Sequence, residues 1–292
     1  MNIVLKKALP DILAVISFVL ISFFYFFPAD TQGRVLSQGD NSEGNGGGVE
    51  MNDYLQRTGH RTRWTNSEFS GMPTYQMSPS YHSTTTLGFI GRIYQLGLTQ
   101  YVMYVFIYML GFYILMRAFN FKVWMAALGA IIWAFSSYFF IIISAGHIWK
   151  VMTLAYIPPT IAGMVLCYKR KYLWGGIVTA LFSALQIYSN HVQMSYYFLF
   201  LIFFMLVAYA VDAYRKKAWK DFARSTAVFV LGGLIGICIN LSNLYHTWQY
   251  SKESMRGKSE LVKKNTANQT NSGLDRDYIT QWSYGIGETW TL

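Results

Sequence analysis

Eight side chains in this sequence have the chemistry to hold or change a polar substrate: Asp40, Trp64, Tyr75, His147, Lys150, Asn190, His191 and Gln193. Asp40, in Gln38-Gly39-Asp40, is a carboxylate that can deprotonate a hydroxyl or hold a divalent cation such as Mg or Mn. His147 and Lys150 share one short polar stretch, Ser144-Ala145-Gly146-His147-Ile148-Trp149-Lys150. Lysine offers a phosphate a point charge, and histidine offers a switchable donor. Asn190-His191-Val192-Gln193 is a second such stretch. Trp64 and Tyr75 can stack on a sugar ring.

Each of these has a plainer alternative. Asp40 can be a solvated loop acid, like its neighbours Glu43, Glu50 and Asp53. Lys150 can snorkel and His147 can cap a helix end. Asn190, His191 and Gln193 can form a polar turn, and the two aromatics can be interfacial anchors.

The elements that position these residues are apolar. The chain is 53% hydrophobic and 13% charged, against about 25% charged for a soluble domain, which points to lipid. Seven runs approach the length a helix needs to cross about 30 Å of hydrocarbon. They cover roughly 9–27, 97–116, 123–143, 151–167, 172–188, 195–211 and 225–245. The expected fold is an all-α, polytopic transmembrane bundle over 1–250, with a polar outer tail at 251–292. The first run is longer than a signal-peptide core and ends Phe-Tyr-Phe-Phe-Pro, so it reads as an uncleaved span. No span carries an acid or base at its centre, which argues against a proton-coupled pump. Pro158-Pro159 predicts a kink in the fourth span.

Basic clusters give the orientation. With Lys6 and Lys7 in the cytoplasm, so are Arg117, Lys122, the 169–171 cluster and the 215–224 cluster. The positive-inside rule is then obeyed at every short loop. The net charge of +10 is absorbed by these turns, and nucleic acid is not an expected partner; the bilayer is. Cys167 and Cys238 sit in apolar runs and imply no disulfide framework.

All eight candidates fall on the outer side. Asp40, Trp64 and Tyr75 lie in the loop at 28–96, which is too long and too aromatic for a plain linker. Within it, Gly44 to Gly48 reads as a flexible hinge. Met51, Tyr54 and Leu55 have the spacing of a short amphipathic helix, as do Leu87, Ile90 and Tyr94.

Several motifs carry a family resemblance. They are Gln38-Gly39-Asp40, Trp64-Thr65-Asn66, Phe69-Ser70-Gly71-Met72-Pro73-Thr74-Tyr75, Ala145-Gly146-His147 with Lys150, Ala155-Tyr156-Ile157-Pro158-Pro159, and Asn190-His191 with Gln193. Near the end come Gln281-Trp282-Ser283-Tyr284-Gly285 and Gly287-Glu288-Thr289. In this order they resemble YfhO-like bacterial membrane proteins, in the form common in Bacteroidetes. That family is similar in layout to membrane glycosyltransferases of the GT-C type. The resemblance implies the bacterial inner membrane, a polyprenyl-phosphate sugar donor and a lipid or surface-polymer acceptor. It also implies an acid in the first outer loop, matched by Asp40. Family members are longer, so a truncated chain is expected here. A non-catalytic carrier or flippase for lipid-linked precursors, or a scaffold, is the rival expectation.

Overall fold

The structure is a computed structural model, and it describes residues 3–78 and 81–253 with short pieces between 269 and 287. The chain divides into two compact units, Met1–Ser242 and Asn243–Leu292. The first is built from helices. In chain order these are α1 (Ile3–Phe26), α2 (Gly39–Gly47), α3 (Val49–Thr58), α4 (His82–Tyr94), α5 (Gln100–Ala118), α6 (Val123–Ala134), α7 (Ser137–Ala145), α8 (Ile148–Tyr168), α9 (Tyr172–Tyr188), α10 (Val192–Lys216) and α11 (Trp219–Ile239). A two-stranded hairpin, β1 (Trp64–Thr65) against β2 (Met72–Pro73), interrupts the long loop. Helix α12 (Leu241–Ser251) follows α11. The second unit also holds the strand pair Gln269–Thr270 and Gly273–Leu274 and the short helix Arg276–Thr280. Most of the expectations about the tail, including its truncation, fall outside the described residues.

Among the described residues, five helices, α1, α5, α8, α10 and α11, are long and apolar enough to cross a membrane. The run at 123–143 is not one straight helix: α6 and α7 meet at 47° across Phe135 and Ser136. Hydropathy sees one apolar stretch there because it carries no information about bending. Helix α9 is apolar but shorter, at 17 residues. The last expected span is shifted: α11 ends at Ile239, and α12 begins a new helix after Asn240.

Helices α5 and α8 form the centre. Val105, Phe106 and Ile107 on α5 are fully buried. Phe139 of α7 stacks on Tyr108 at 4.1 Å between centroids, and Trp133 of α6 on Phe112 at 4.8 Å. Helix α10 is the opposite case: Phe203, Phe204, Val207 and Val211 are all exposed, as expected of a surface that lipid covers.

Without a strong hydrophobic drive between helices in lipid, close approach depends on small residues. Helices α8, α9 and α11 use Gly163, Gly175, Gly232 and Gly236 this way. A Cβ at Gly175 would lie 2.7 Å from the Cys167 nitrogen and 3.0 Å from the Gly163 oxygen. Pro158 and Pro159 lie inside α8, which runs through them as one helix. Two prolines cannot donate to the carbonyls one turn back. One of those carbonyls, Ala155, faces Gly111 of α5, where a Cβ would be 2.6 Å from the oxygen.

Polar contacts close one end of the bundle. Asp11 of α1 accepts from Tyr113 Oη at 2.5 Å and Arg117 Nε at 2.8 Å on α5. Lys169 Nζ donates to Ala118 O at 2.6 Å. The clusters read as cytoplasmic thus share one end. The Asp40 and His147 stretches meet at the other end of the helices.

Candidate functional site

The Gln38-Gly39-Asp40 stretch is docked by its glutamine. Gln38 is buried at 3% exposure, and its amide donates to Ile143 O at the end of α7. Asn41 donates in turn to the Gln38 side-chain oxygen. The partner surface needs a glycine twice over. Gly146 ends α7 at φ 87°, and a Cβ there would sit 3.1 Å from Gln38 Cβ and 3.2 Å from Asn41 N. Left-handed backbone and lack of room both exclude a side chain.

This docking joins two residues 107 positions apart in sequence. Asp40 Oδ2 lies 2.6 Å from His147 Nδ1, with both side chains about half exposed. Asp40 is in the first turn of α2, where a helix N-terminus favours a carboxylate. His147 occupies the N-cap position of α8 but makes no side-chain cap bond. Its Nδ1 is committed to Asp40. Nδ1–H therefore donates to the carboxylate, and Nε2 is left as an acceptor.

The capping function belongs to His191 instead. Its Nδ1 accepts from Met194 N at 3.3 Å at the start of α10. Burial pushes the His191 pKa below its ordinary 6.5, and the positive charge of Lys150 pushes the same way. Lys150 thus lies near enough to His191 to act on it, and His147, three residues before Lys150, is the partner of Asp40. Lys150 Nζ lies 5.4 Å above the Tyr138 ring. Asn190 closes α9 with φ 58°, a left-handed position that asparagine tolerates. Gln193 is exposed and bonds Tyr197 Oη at 3.0 Å.

Trp64 and Tyr75 belong to a different part of the loop, organised by Glu50. The Glu50 carboxylate of α3 accepts from Thr65 Oγ1 at 2.6 Å, Asn66 N at 2.6 Å, Asn66 Nδ2 at 2.9 Å and Ser67 Oγ at 3.2 Å. Led by the Thr65 hydroxyl, these donors lower its pKa from 4.5 to about 2. Glu50, read from sequence as one more loop acid, is the residue that folds the loop. The glycine-rich stretch is not a hinge but helix α2. Gly47 packs directly under Glu68 and Met77, and this docking outweighs poor helix propensity. Trp64 covers Gly71, donates from Nε1 to Asn66 Oδ1 at 3.1 Å and stays exposed. Tyr75 follows β2 and is close enough to Tyr81 to influence its hydroxyl, which burial raises above its ordinary 10.

A cavity of about 750 Å³ opens beside these groups. Its wall combines the loop, α4, the start of α5, the start of α8 and the end of α9. It carries two guanidinium groups, Arg61 and Arg92, with aromatic surface from Tyr81, Trp149 and Tyr156. Arg61 donates to Ser78 Oγ at 3.0 Å, and Gln95 to Tyr156 Oη at 3.3 Å. Neither arginine has a carboxylate partner among the described residues. The described wall contains no acid and none of the eight sequence candidates. His147 immediately precedes Ile148 and Trp149, which do line it. Leu87, Ile90 and Tyr94 press α4 against Phe182 and Leu185 of α9. This fixes Arg92 in place. The sequence signal for it was a basic residue on an amphipathic helix of the 28–96 loop, without a nearby acid.

A divalent cation would find two protein ligands here, Asp40 and His147, already bonded to each other. No group of three or more His, Cys, Asp or Glu able to hold a metal occurs among the described residues. Comparisons with protein-family models, curated proteins and solved structures give no match to the chain.

Proposed function

We propose that this chain is an inner-membrane glycosyltransferase, or the membrane part of one, similar to YfhO-like and GT-C-type proteins. In this reading it crosses the bilayer about seven times with its N-terminus in the cytoplasm, and the cavity faces outward. The donor is a polyprenyl-phosphate sugar, and the acceptor is a hydroxyl of a lipid or surface polymer. The observation that carries the reading is the cavity: a large pocket at the end of an apolar bundle, roofed by the first outer loop and supplied with two guanidinium groups that no described carboxylate neutralises. Arg61 and Arg92 hold the donor phosphate through charge-assisted bonds. Trp149 and Tyr81 offer faces to the sugar. His147 takes the acceptor proton on Nε2, with Asp40 fixing the tautomer through Nδ1. Asp40 is then a positioning residue, and Lys150 adds positive charge beside it. No step runs through a metal.

The described wall lacks a carboxylate, and this favours one second reading, a carrier that binds lipid-linked precursors without turnover. Purified protein in lipid nanodiscs, given a panel of polyprenyl-phosphate hexoses, separates the two. Transfer of hexose to lipid or added glycan, lost in an Arg61→Ala, Arg92→Ala double variant, supports the enzyme. Binding without transfer supports the carrier, and absence of binding removes both.

A further inference from the structure

Helix α4 descends along α9. A Cβ at Gly88 would lie 3.0 Å from Tyr188 Oη, and one at Gly91 would lie 3.8 Å from Leu185 Cδ2. One turn further, the rings of Tyr94 and Phe182 are 5.2 Å apart between centroids. The partner on α9 falls by three each time the residue on α4 rises by three, so the two helices run antiparallel. Six residues of α9, at about 1.5 Å each, put this last contact about 9 Å below the end of that helix. Tyr94 also meets the inner turns of two other helices. Its ring is 5.8 Å from that of Tyr156 in α8, and a Cβ at Gly111 in α5 would lie 3.6 Å from its hydroxyl. A helix laid across the ends of the bundle would meet only their last turns. The chain then turns back. Leu96 N donates to Ile93 O at 3.0 Å and Gly97 N to Arg92 O at 3.3 Å, and α5 starts at Gln100.

The exposed side of α4 changes character on the way down. In the first half it carries His82, Ser83, Thr85 and Thr86. In the second half it carries Phe89 and Ile93, 58% and 59% exposed, and Leu96 follows at 55%. Phe89 and Ile93, four residues apart, form one strip, and Arg92, three residues from Phe89, stands at its edge. On its other side Arg92 lines the cavity together with Gly88, Gly91 and Gln95. The apolar strip and the cationic wall are thus neighbours on one helix. A bilayer has the same sequence of polarity along its normal, headgroups first and acyl chains below. We propose that α4 is a re-entrant helix whose lower half sits in the bilayer, with Phe89, Ile93 and Leu96 against acyl chains and Arg92 at the boundary with the cavity. Apolar residues on one face and a basic residue beside them suit the headgroup–acyl boundary in general, and the long arginine side chain lets its charge reach the headgroups. The placement concerns lipid contact alone and holds whether or not the cavity turns over a sugar.

The test is spin-label accessibility of the full chain in phosphatidylcholine nanodiscs. Cys238→Ser removes the exposed native thiol, and Cys167 is buried. Labels at Phe89→Cys and Ile93→Cys should collide several-fold more with oxygen than with a water-soluble nickel complex, as should a label at Phe203→Cys on the exposed face of α10. A label at His82→Cys should show the reverse preference. The unaltered chain gives a second reading that no misfolded variant can disturb: a lipid-soluble diazirine should mark Phe89 and Ile93 and spare His82. A preference for nickel at Phe89→Cys and Ile93→Cys places the strip in water and overturns the proposal. Protection of both positions from both reagents places the strip under protein, a partner or a further part of this chain, and overturns it too. Failure of the diazirine to mark either residue does the same.

Discussion

The Asp40–His147 pair gives the most direct handle on the proposed chemistry. In Asp40→Asn the side chain keeps its shape but loses its charge. The pair is 2.6 Å long and about half exposed on both sides. An ion pair that exposed contributes about 0.2–1 kcal/mol to stability, so folding should barely change. The effect on His147 should be larger. An asparagine can present its amide nitrogen to Nδ1, which then becomes the acceptor and sends the ring proton to Nε2. The nitrogen required as base is then blocked. Loss of a general base costs roughly 10²–10⁴ in rate. The expected outcome is a fall in hexose transfer of that size, with the unfolding midpoint and donor binding close to wild type. Transfer is read as labelled hexose moved from the polyprenyl-phosphate donor, and binding as a donor-induced thermal shift. The pH–rate profile should lose its basic-group limb, which a merely structural role would leave intact. Turnover within threefold of wild type and an unchanged profile would refute the assignment.

Other expectations follow from the packing and the loop. Gly175→Ala sets a Cβ 2.7 Å from the Cys167 backbone. An overpacking cost of about 1–3 kcal/mol should exceed the roughly 1 kcal/mol gained in helix propensity, lowering the unfolding midpoint. Gly176→Ala meets a single valine methyl at 3.2 Å and should cost less; the reverse order would contradict the seam. The Glu50 carboxylate is lowered to about 2 in the folded loop, so its contribution is complete above its ordinary 4.5 and is lost as pH falls through about 2. Pepsin cleavage within 50–67 should therefore appear only toward the bottom of that window, and at higher pH in Glu50→Gln. Arg92→Gln should weaken binding of plain polyprenyl phosphate about tenfold in a thermal-shift titration, given about 1.5–3 kcal/mol for a charge-assisted contact; unchanged affinity would remove Arg92 from the site.

The parts legible in the sequence are those set by local composition or by parity. Apolar length marked the helices, and the alternation of apolar and polar stretches was enough to expect Asp40 beside His147, which the structure pairs although they come from separate segments. The amphipathic spacing at Met51, Tyr54 and Leu55 became α3, and that at Leu87, Ile90 and Tyr94 became α4. What stayed hidden depends on tertiary docking. The bend at Phe135 leaves hydropathy unchanged. Helix α2 exists because Glu68 packs over Gly47. The cavity wall brings together Arg61 and Ser78, which are far apart along the loop and bonded to each other. No periodicity reports such a return of the chain.

That return makes the loop a lever. Thr74 bonds back to Thr62 O and Arg63 O, at 2.9 Å and 3.1 Å, and Arg61 reaches Ser78. The hairpin is thus laced along both arms. Glu50 grips its β1 arm and the turn beyond, while Arg61, Met77 and Ser78 form part of the cavity wall at its open end. A carboxylate outside the described wall thereby sets where a guanidinium stands. Whatever loosens Glu50, by acid or by substitution, should reposition the cation at the other end of the hairpin before it disturbs any helix of the bundle.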